Sequence, residues 1–349
     1  MSDRITFRDF MYSALYDEKR GYYMTDRSHF GPSGDFNTTG QFHELFGQIM
    51  ASEFEQLFRS LGSPLHFTIV ELGPGNGDFA LQVLTEMRSS YPEALSRTRY
   101  FCCEVSPVLE RQQRKRLGEF SCVRWISGLD KIDQPLRGVF FSNEFFDALP
   151  VHIIRGSRGR LLEVFVARSS SGELFFEEDE ISHPLLWDFW HRVGVPLREG
   201  HLAEINLDAV DTLRRVAEKL ECGQVITIDY GELAEFLYTA ARPEGTLRCF
   251  SRHRLGDAPL DRIGEQDLTA SVNFDALIDY GSEFDLELVS FGSQTDYLLE
   301  RGLLDRVARI GEGAEVETSK SLERRLALKQ LFVPGGIAAH FKVLVQRKE

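Results

Sequence analysis

Phe67-Thr68-Ile69-Val70-Glu71-Leu72-Gly73-Pro74-Gly75-Asn76-Gly77-Asp78-Phe79 is the stretch on which the reading of this chain turns. Phe67, Ile69 and Val70 form a short apolar run of the kind that makes a buried strand. Glu71 closes the run, and Gly73, Gly75 and Gly77 follow at alternate positions. Beyond them Phe79, Ala80, Val83, Leu84 and Met87 recur at helical spacing, so the order is strand, glycine turn, helix. Glycine is needed where backbone turns with positive φ or meets a ligand without a Cβ in the way. A doubly wound α/β sheet holds a nucleotide-like cofactor with this geometry, at the carboxyl ends of its strands.

The spacing departs from the dinucleotide fingerprint. Glu71-Leu72-Gly73-Pro74-Gly75-Asn76-Gly77 instead resembles the first motif of class I methyltransferases, which bind S-adenosylmethionine (SAM). The same glycines also occur in plain strand-to-helix connections, so the later strands must decide.

Those strands follow in order. Tyr100-Phe101-Cys102-Cys103 ends at Glu104-Val105, where an acid is placed to accept hydrogen bonds from ribose hydroxyls. Ser106-Pro107 then reads as a helix start, a hydroxyl cap followed by proline at the first helical position. Val123-Arg124-Trp125-Ile126 is a third strand, and the loop with Gly128 and Leu129 lies where an adenine would sit. Val139-Phe140-Phe141 runs into Ser142-Asn143-Glu144-Phe145-Phe146-Asp147, polar groups that either meet a ligand or cap a helix. Val225-Ile226-Thr227-Ile228 is the fifth strand and ends in Asp229. A sixth strand over 286–290 and a terminal one over 341–345 complete the set. The pattern matches the Rossmann-like, seven-stranded α/β sheet of class I methyltransferases, whose last strand inserts antiparallel between the fifth and sixth.

Four regions are expected along the chain. Residues 1–60 read as an N-terminal helical extension, with a helix over 4–20 and another over 41–60. Between them the glycine-rich 31–40, with Gly34, Asp35 and Thr38, would close over a cofactor as a lid. Residues 61–150 are the first half of the SAM-binding core. Residues 151–205 read as an inserted, β-hairpin-rich cap, with turns at Gly156-Ser157-Arg158-Gly159 and Ser169-Ser170-Ser171-Gly172. Residues 206–349 are the second half of the core, with a loop-rich insertion at 232–271 and a helical one at 295–332.

A formal net charge of −14 argues against nonspecific nucleic-acid binding, which needs clustered Lys and Arg. Five cysteines without C-x-x-C or zinc spacing suit buried thiols, and we expect no metal site and a cytoplasmic location. No apolar run reaches membrane-spanning length, so no membrane partner is expected. Asp3, Asp9 and Asp17 near the start fit neither a secretory signal nor an acid-poor transit peptide.

Motifs spread along the chain resemble the MidA-like family. They include Gly21-Tyr22-Tyr23, Gly34-Asp35-Phe36, the glycine turn, Glu104-Val105-Ser106-Pro107 and Asn143 through Pro150. Glu204-Ile205-Asn206, Ile228-Asp229-Tyr230-Gly231, Gly245-Thr246-Leu247 and Val272-Asn273-Phe274 fit the same pattern. Thr39-Gly40 and Ile337 depart from it, outside the cofactor motif. The resemblance implies a SAM-dependent methyltransferase acting on a protein, with a mitochondrial relative that dimethylates arginine. A cationic guanidinium needs a carboxylate to orient it. Glu144 is the main candidate, with Asp147, Asp229 and His152 behind it. Cofactor contacts fall to Glu71, Gly73, Pro74, Gly75, Gly77, Glu104, Val105, Gly128, Leu129, Asn143, Gly34 and Thr38. A SAM-binding assembly factor with little catalysis and a small-molecule methyltransferase are the alternatives, and a homodimeric state is left open.

Overall fold

Five apolar runs become parallel strands, which cannot be joined by tight hairpins and need crossover connections; the Asp78–Ser90 and Pro107–Leu117 helices supply the first two. A computed structural model describes residues 4–26, 40–251, 254–255, 258–312 and 341–349. The chain divides into two compact units: Met1–Asn37, Phe145–Arg215 and Gly231–Glu283 form one; Thr38–Glu144, Val216–Tyr230 and Phe284–Glu349 form the other.

The second unit holds the main sheet. Its strands lie in the order Glu287–Ser293, Phe341–Lys348, Leu220–Glu232, Leu136–Asn143, Phe67–Leu72, Thr98–Cys103, Val123–Ile126. Phe341–Lys348 is antiparallel to both neighbours, and the five strands from Leu220–Glu232 to Val123–Ile126 are mutually parallel. This is the order of the class I methyltransferase sheet. Every residue of Phe67–Leu72 is buried, as a central strand covered on both faces requires. Ile49, Met50, Phe54 and Phe58 of the Gly40–Ser60 helix share one core with Ile69, Tyr100 and Phe141, and Phe79 stacks on Phe141 at 4.3 Å.

The first unit gathers segments that the sequence reading kept apart. Arg4–Thr6 is a strand rather than helix, and pairs antiparallel with Arg160–Arg168. Thr6 then caps the Phe7–Tyr16 helix through a hydrogen bond from the Asp9 N–H. The expected hairpins are present: His152–Ser157, Arg160–Arg168 and Leu174–Glu180 pair in sequence, and Leu202–Ile205 joins the first. Arg158 and Gly159 both have positive φ, the conformation that a tight two-residue hairpin turn demands. Phe7, Phe10 and Met11 pack in one core with Val151, Ile153, Val164 and Leu268. The 232–271 stretch adds a small sheet of Arg248–Ser251, Arg254–Leu255 and Asp267–Thr269. The Gly40–Ser60 helix, by contrast, belongs to the second unit. Of the helical 295–332 region, Gln294–Glu300 and Leu303–Glu312 are helices, and 313–332 lie outside the described residues.

One constraint on the sheet is invisible in the hydrophobic pattern. Thr68, Gly138 and Gly223 stand side by side on three adjacent strands. Gly138 has φ +152°, and a Cβ there would fall on the Thr68 carbonyl, while one at Gly223 would fall on the carbonyl of Gly138. At these two positions the backbone aims the Cβ direction at the neighbouring strand's carbonyl, and no side chain fits. Gly138→Ala is expected to lower stability by more than about 1 kcal/mol, read as a drop in the urea midpoint with unchanged slope.

Candidate functional site

Parallel strands end on one edge, and the residues that follow them are brought together there whatever their distance in sequence. After Phe67–Leu72 the chain turns through Gly73, Gly75 and Gly77, with φ of 65°, 54° and 83°. The Pro74 carbonyl accepts the Gly77 N–H at 2.9 Å, closing the turn. Asn76 accepts the Asp78 N–H at 3.0 Å and secures the start of the Asp78–Ser90 helix.

Two carboxyl groups lie buried against this turn. Glu71 accepts a hydrogen bond from the Tyr100 hydroxyl at 2.7 Å. Burial, opposed by that bond and helped by the charge of Glu104, pushes its pKa up to about 8. Glu104 follows Thr98–Cys103; one oxygen accepts the Ser106 N–H at 2.8 Å, the other the Gln113 amide at 3.0 Å. Burial still raises it to about 7, because the donors offset only part of the desolvation.

Gln113 is the residue the sequence reading missed. It is wholly buried on the Pro107–Leu117 helix, and besides Glu104 it donates to the Gly75 carbonyl at 2.7 Å and accepts from Trp125 Nε1 at 3.0 Å. A signal was there to be read: Leu109, Gln113 and Leu117 lie four apart, which puts a glutamine in the middle of a buried stripe.

Farther along the edge, Leu136–Asn143 delivers Asn143 and Glu144. Glu144 has φ 52°, unusual for a residue with a side chain, and its N–H binds the Ile228 carbonyl at 3.0 Å. Asn143 donates to its carboxyl group at 3.2 Å, yet burial raises the pKa to about 7. Asp229, fully buried in Leu220–Glu232, accepts the N–H of Tyr230 at 2.8 Å. Val105 is 54% exposed beside Glu104, whereas the Leu129 side chain is packed inside, so that in the Gly128-Leu129 loop backbone rather than side chain is on offer. A Cβ on Gly128 would come within 2.7 Å of the Asp130 carboxylate.

Asp147 and His152 belong to the first unit. His152 Nδ1 lies 2.7 Å from Glu163, a fully buried carboxylate that also accepts the Ser182 N–H, so this ring is engaged within the cap sheet. Asp147 is buried, and its carbonyl accepts the Ala270 N–H at 2.9 Å. Gly34 and Thr38, with the rest of the expected lid, lie outside the described residues. Among the described residues no group of His, Cys, Asp and Glu is arranged to hold a metal, and no helix is long and apolar enough to cross a membrane.

A family model described as "Putative S-adenosyl-L-methionine-dependent methyltransferase" matches residues 49–292. The chain is 29% identical over 305 residues to the mitochondrial protein arginine methyltransferase NDUFAF7 homolog of Drosophila melanogaster, covering 77% of this chain and 65% of that protein. The human mitochondrial protein arginine methyltransferase NDUFAF7 is 24% identical over 321 residues, covering 78% and 64%. The chain thus spans just under two thirds of the length of these relatives. A crystal structure of a Burkholderia thailandensis protein bound to S-adenosyl-homocysteine superposes with a TM-score of 0.86 at 27% identity, covering 99% of this chain and 88% of that one. A native crystal structure of a protein from the same organism gives 0.83 at 28%, covering 99% and 87%. With the family match spanning most of the chain and the glycine turn and strand-end acids standing on one sheet edge, the chain belongs to the MidA-like family of S-adenosyl-L-methionine-dependent methyltransferases, with SAM as its cofactor.

Proposed function

We propose that the chain methylates a protein substrate at arginine, holding SAM along the carboxyl edge of the main sheet. The cradle suits the cofactor: three successive positive-φ glycines leave backbone open to it, and Glu104 offers a carboxylate to its ribose hydroxyls. Gly73, Pro74, Gly75 and Gly77 with Glu71 form the turn side; Val105, Gly128 and the Leu129 backbone form the adenine side; Asn143 borders the methyl side. Bound SAM supplies an electrophilic methyl group.

Two hydroxyl donors bind an ionised carboxylate far better than a protonated one, and Glu104 starts from a pKa of about 7. SAM affinity should therefore tighten as pH rises through about 7, and fall by up to about tenfold per unit below it, as a proton must leave on binding. Calorimetry on Glu104→Gln should lose the inflection near pH 7. Glu104→Ala is expected to weaken SAM by about 1.5–3 kcal/mol at pH 8. Gly75→Val should abolish binding in a protein that still melts cooperatively; wild-type affinity there would remove the turn from the site.

The observation that carries the arginine reading is Glu144. It is a partly buried acid in a left-handed conformation at the end of the fourth parallel strand, with one oxygen met by Asn143. Such strain persists where surroundings impose it, and it clusters at functional sites. The guanidinium fork pairs with a carboxylate through parallel N–H bonds, so an ionised Glu144 would orient it. The names of the animal relatives point the same way. Asp229 is the second acid of this edge, and Asp147 and His152 of the first unit are further secondary candidates. The cytoplasmic reading rests on this chain's cysteines, while "mitochondrial" is said of the relatives.

Glu144→Gln keeps shape and hydrogen bonding but removes the charge. It should bind SAM normally and lose most transfer of labelled methyl into protein. Wild-type transfer should rise with pH through about 7, because the raised pKa leaves Glu144 protonated below it. Undiminished transfer in Glu144→Gln would place the orienting carboxylate elsewhere. SAM binding with no methylated peptide in mass spectra would favour an assembly factor instead.

A further inference from the structure

We infer that Gln113 is a positioning residue for the cofactor: its side-chain amide, spanning the glycine turn, Glu104 and Trp125, holds the Glu104 carboxylate in the orientation that receives the ribose hydroxyls. The inference rests on the ribose role proposed above for Glu104.

The orientation of the amide is settled by its partners. The Gly75 carbonyl and an ionised carboxylate only accept, and an indole N–H only donates, so Nε2 must face Gly75 and Glu104 while Oε1 faces Trp125. Both N–H groups and the carbonyl are thereby used. A buried amide left unsatisfied would be costly, and a leucine would fill the same stripe without that liability. The position is polar because something there needs donors. Glu104 is that group: Glu71 on the neighbouring strand, Cys102 on its own strand and Glu110 on the Pro107–Leu117 helix face it, together with burial. Against these stand the backbone N–H groups of Ser106 and Val105 and one side chain, Gln113.

The amide is itself fixed on its far side. Trp125 carries the Arg114 guanidinium over its ring at 4.3 Å, so the indole that donates to Gln113 is clamped between the two. Gly77 closes the arrangement: a Cβ there would meet Gln113 Cγ at 3.3 Å, closer than an unshifted side chain tolerates. One glutamine thus sets the distance between the turn that cradles the cofactor and the acid that binds it.

The test is Gln113→Met, which keeps length and apolar packing but removes both donors. SAM dissociation constants are measured by calorimetry from pH 6 to 9, beside a thermal melt. The expected result is affinity about tenfold or more weaker at pH 7, with the pH midpoint of the affinity profile moved upward, because Glu104 has lost a donor that favours its charge. In a Glu104→Ala background the same substitution should change affinity less than about threefold, as coupled residues are non-additive. Wild-type affinity and midpoint in Gln113→Met, with Glu104→Ala still weakened, would overturn the role of Gln113, as would full additivity in the double variant. Unchanged affinity in Glu104→Ala would instead overturn the ribose reading on which it rests. If Gln113→Met fails to melt cooperatively, Trp125→Phe frees the amide while leaving Gln113 in place. It should shift the midpoint in the same direction, and an unmoved midpoint there overturns the inference.

Discussion

Glu71 and Glu104 are carboxyl groups buried at the end of the main sheet, and the local structure is arranged around the cost of that burial. A carboxylate taken out of water loses solvation that only close donors replace. Tyr100 supplies one to Glu71; Ser106 and Gln113 supply two to Glu104. The replacement is incomplete, so both acids keep raised pKa values. A site in this state gains from a ligand that brings further donors, which is what a ribose diol does.

That arrangement depends on the pairing of the strands. Thr68, Gly138 and Gly223 lie opposite one another on three adjacent strands, and hydrogen bonds continue to the edge, where Gly73 N–H reaches the Cys103 carbonyl and Glu104 N–H that of Ile126. The ends of the strands are therefore held in register up to the residues that follow them. Glu144 extends the same ladder through Ile228, so its unusual backbone is anchored rather than loose.

The first unit solves the same problem differently. Glu204 is buried, and its carboxylate accepts the N–H groups of Thr246 and Leu247 and the Thr246 hydroxyl. Glu163 is buried between His152 and the Ser182 N–H; burial works against its charge, but these partners hold it below the usual carboxylate range. Asn206 accepts the Ala209 N–H at the start of one helix and donates to the carbonyls of Phe146 and Leu149. The Glu204-Ile205-Asn206 and Gly245-Thr246-Leu247 motifs, which in sequence look as functional as any, are thus joined into one hydrogen-bonded structural knot.

The order of the sheet came from the resemblance to class I methyltransferases. The strand-turn-helix of residues 67–79 and the acids closing the later strands were legible from the chain, because apolar runs, glycines and caps act over a few residues. The hairpins of the cap were legible for the same reason. The joining of Arg4–Thr6 to Arg160–Arg168 was not, since a three-residue strand carries no period and exists only through its partner. Nor was the chemistry of individual acids. Glu71, Glu104, Glu163 and Glu204 are alike as letters, and what separates a raised carboxyl group from a lowered one is the balance of burial against the donors and charges that distant residues bring to it. Gln113 shows the boundary most clearly: its place in a buried stripe is a matter of helical spacing, but its three partners come from a turn, a strand end and a second strand that only the folded sheet assembles.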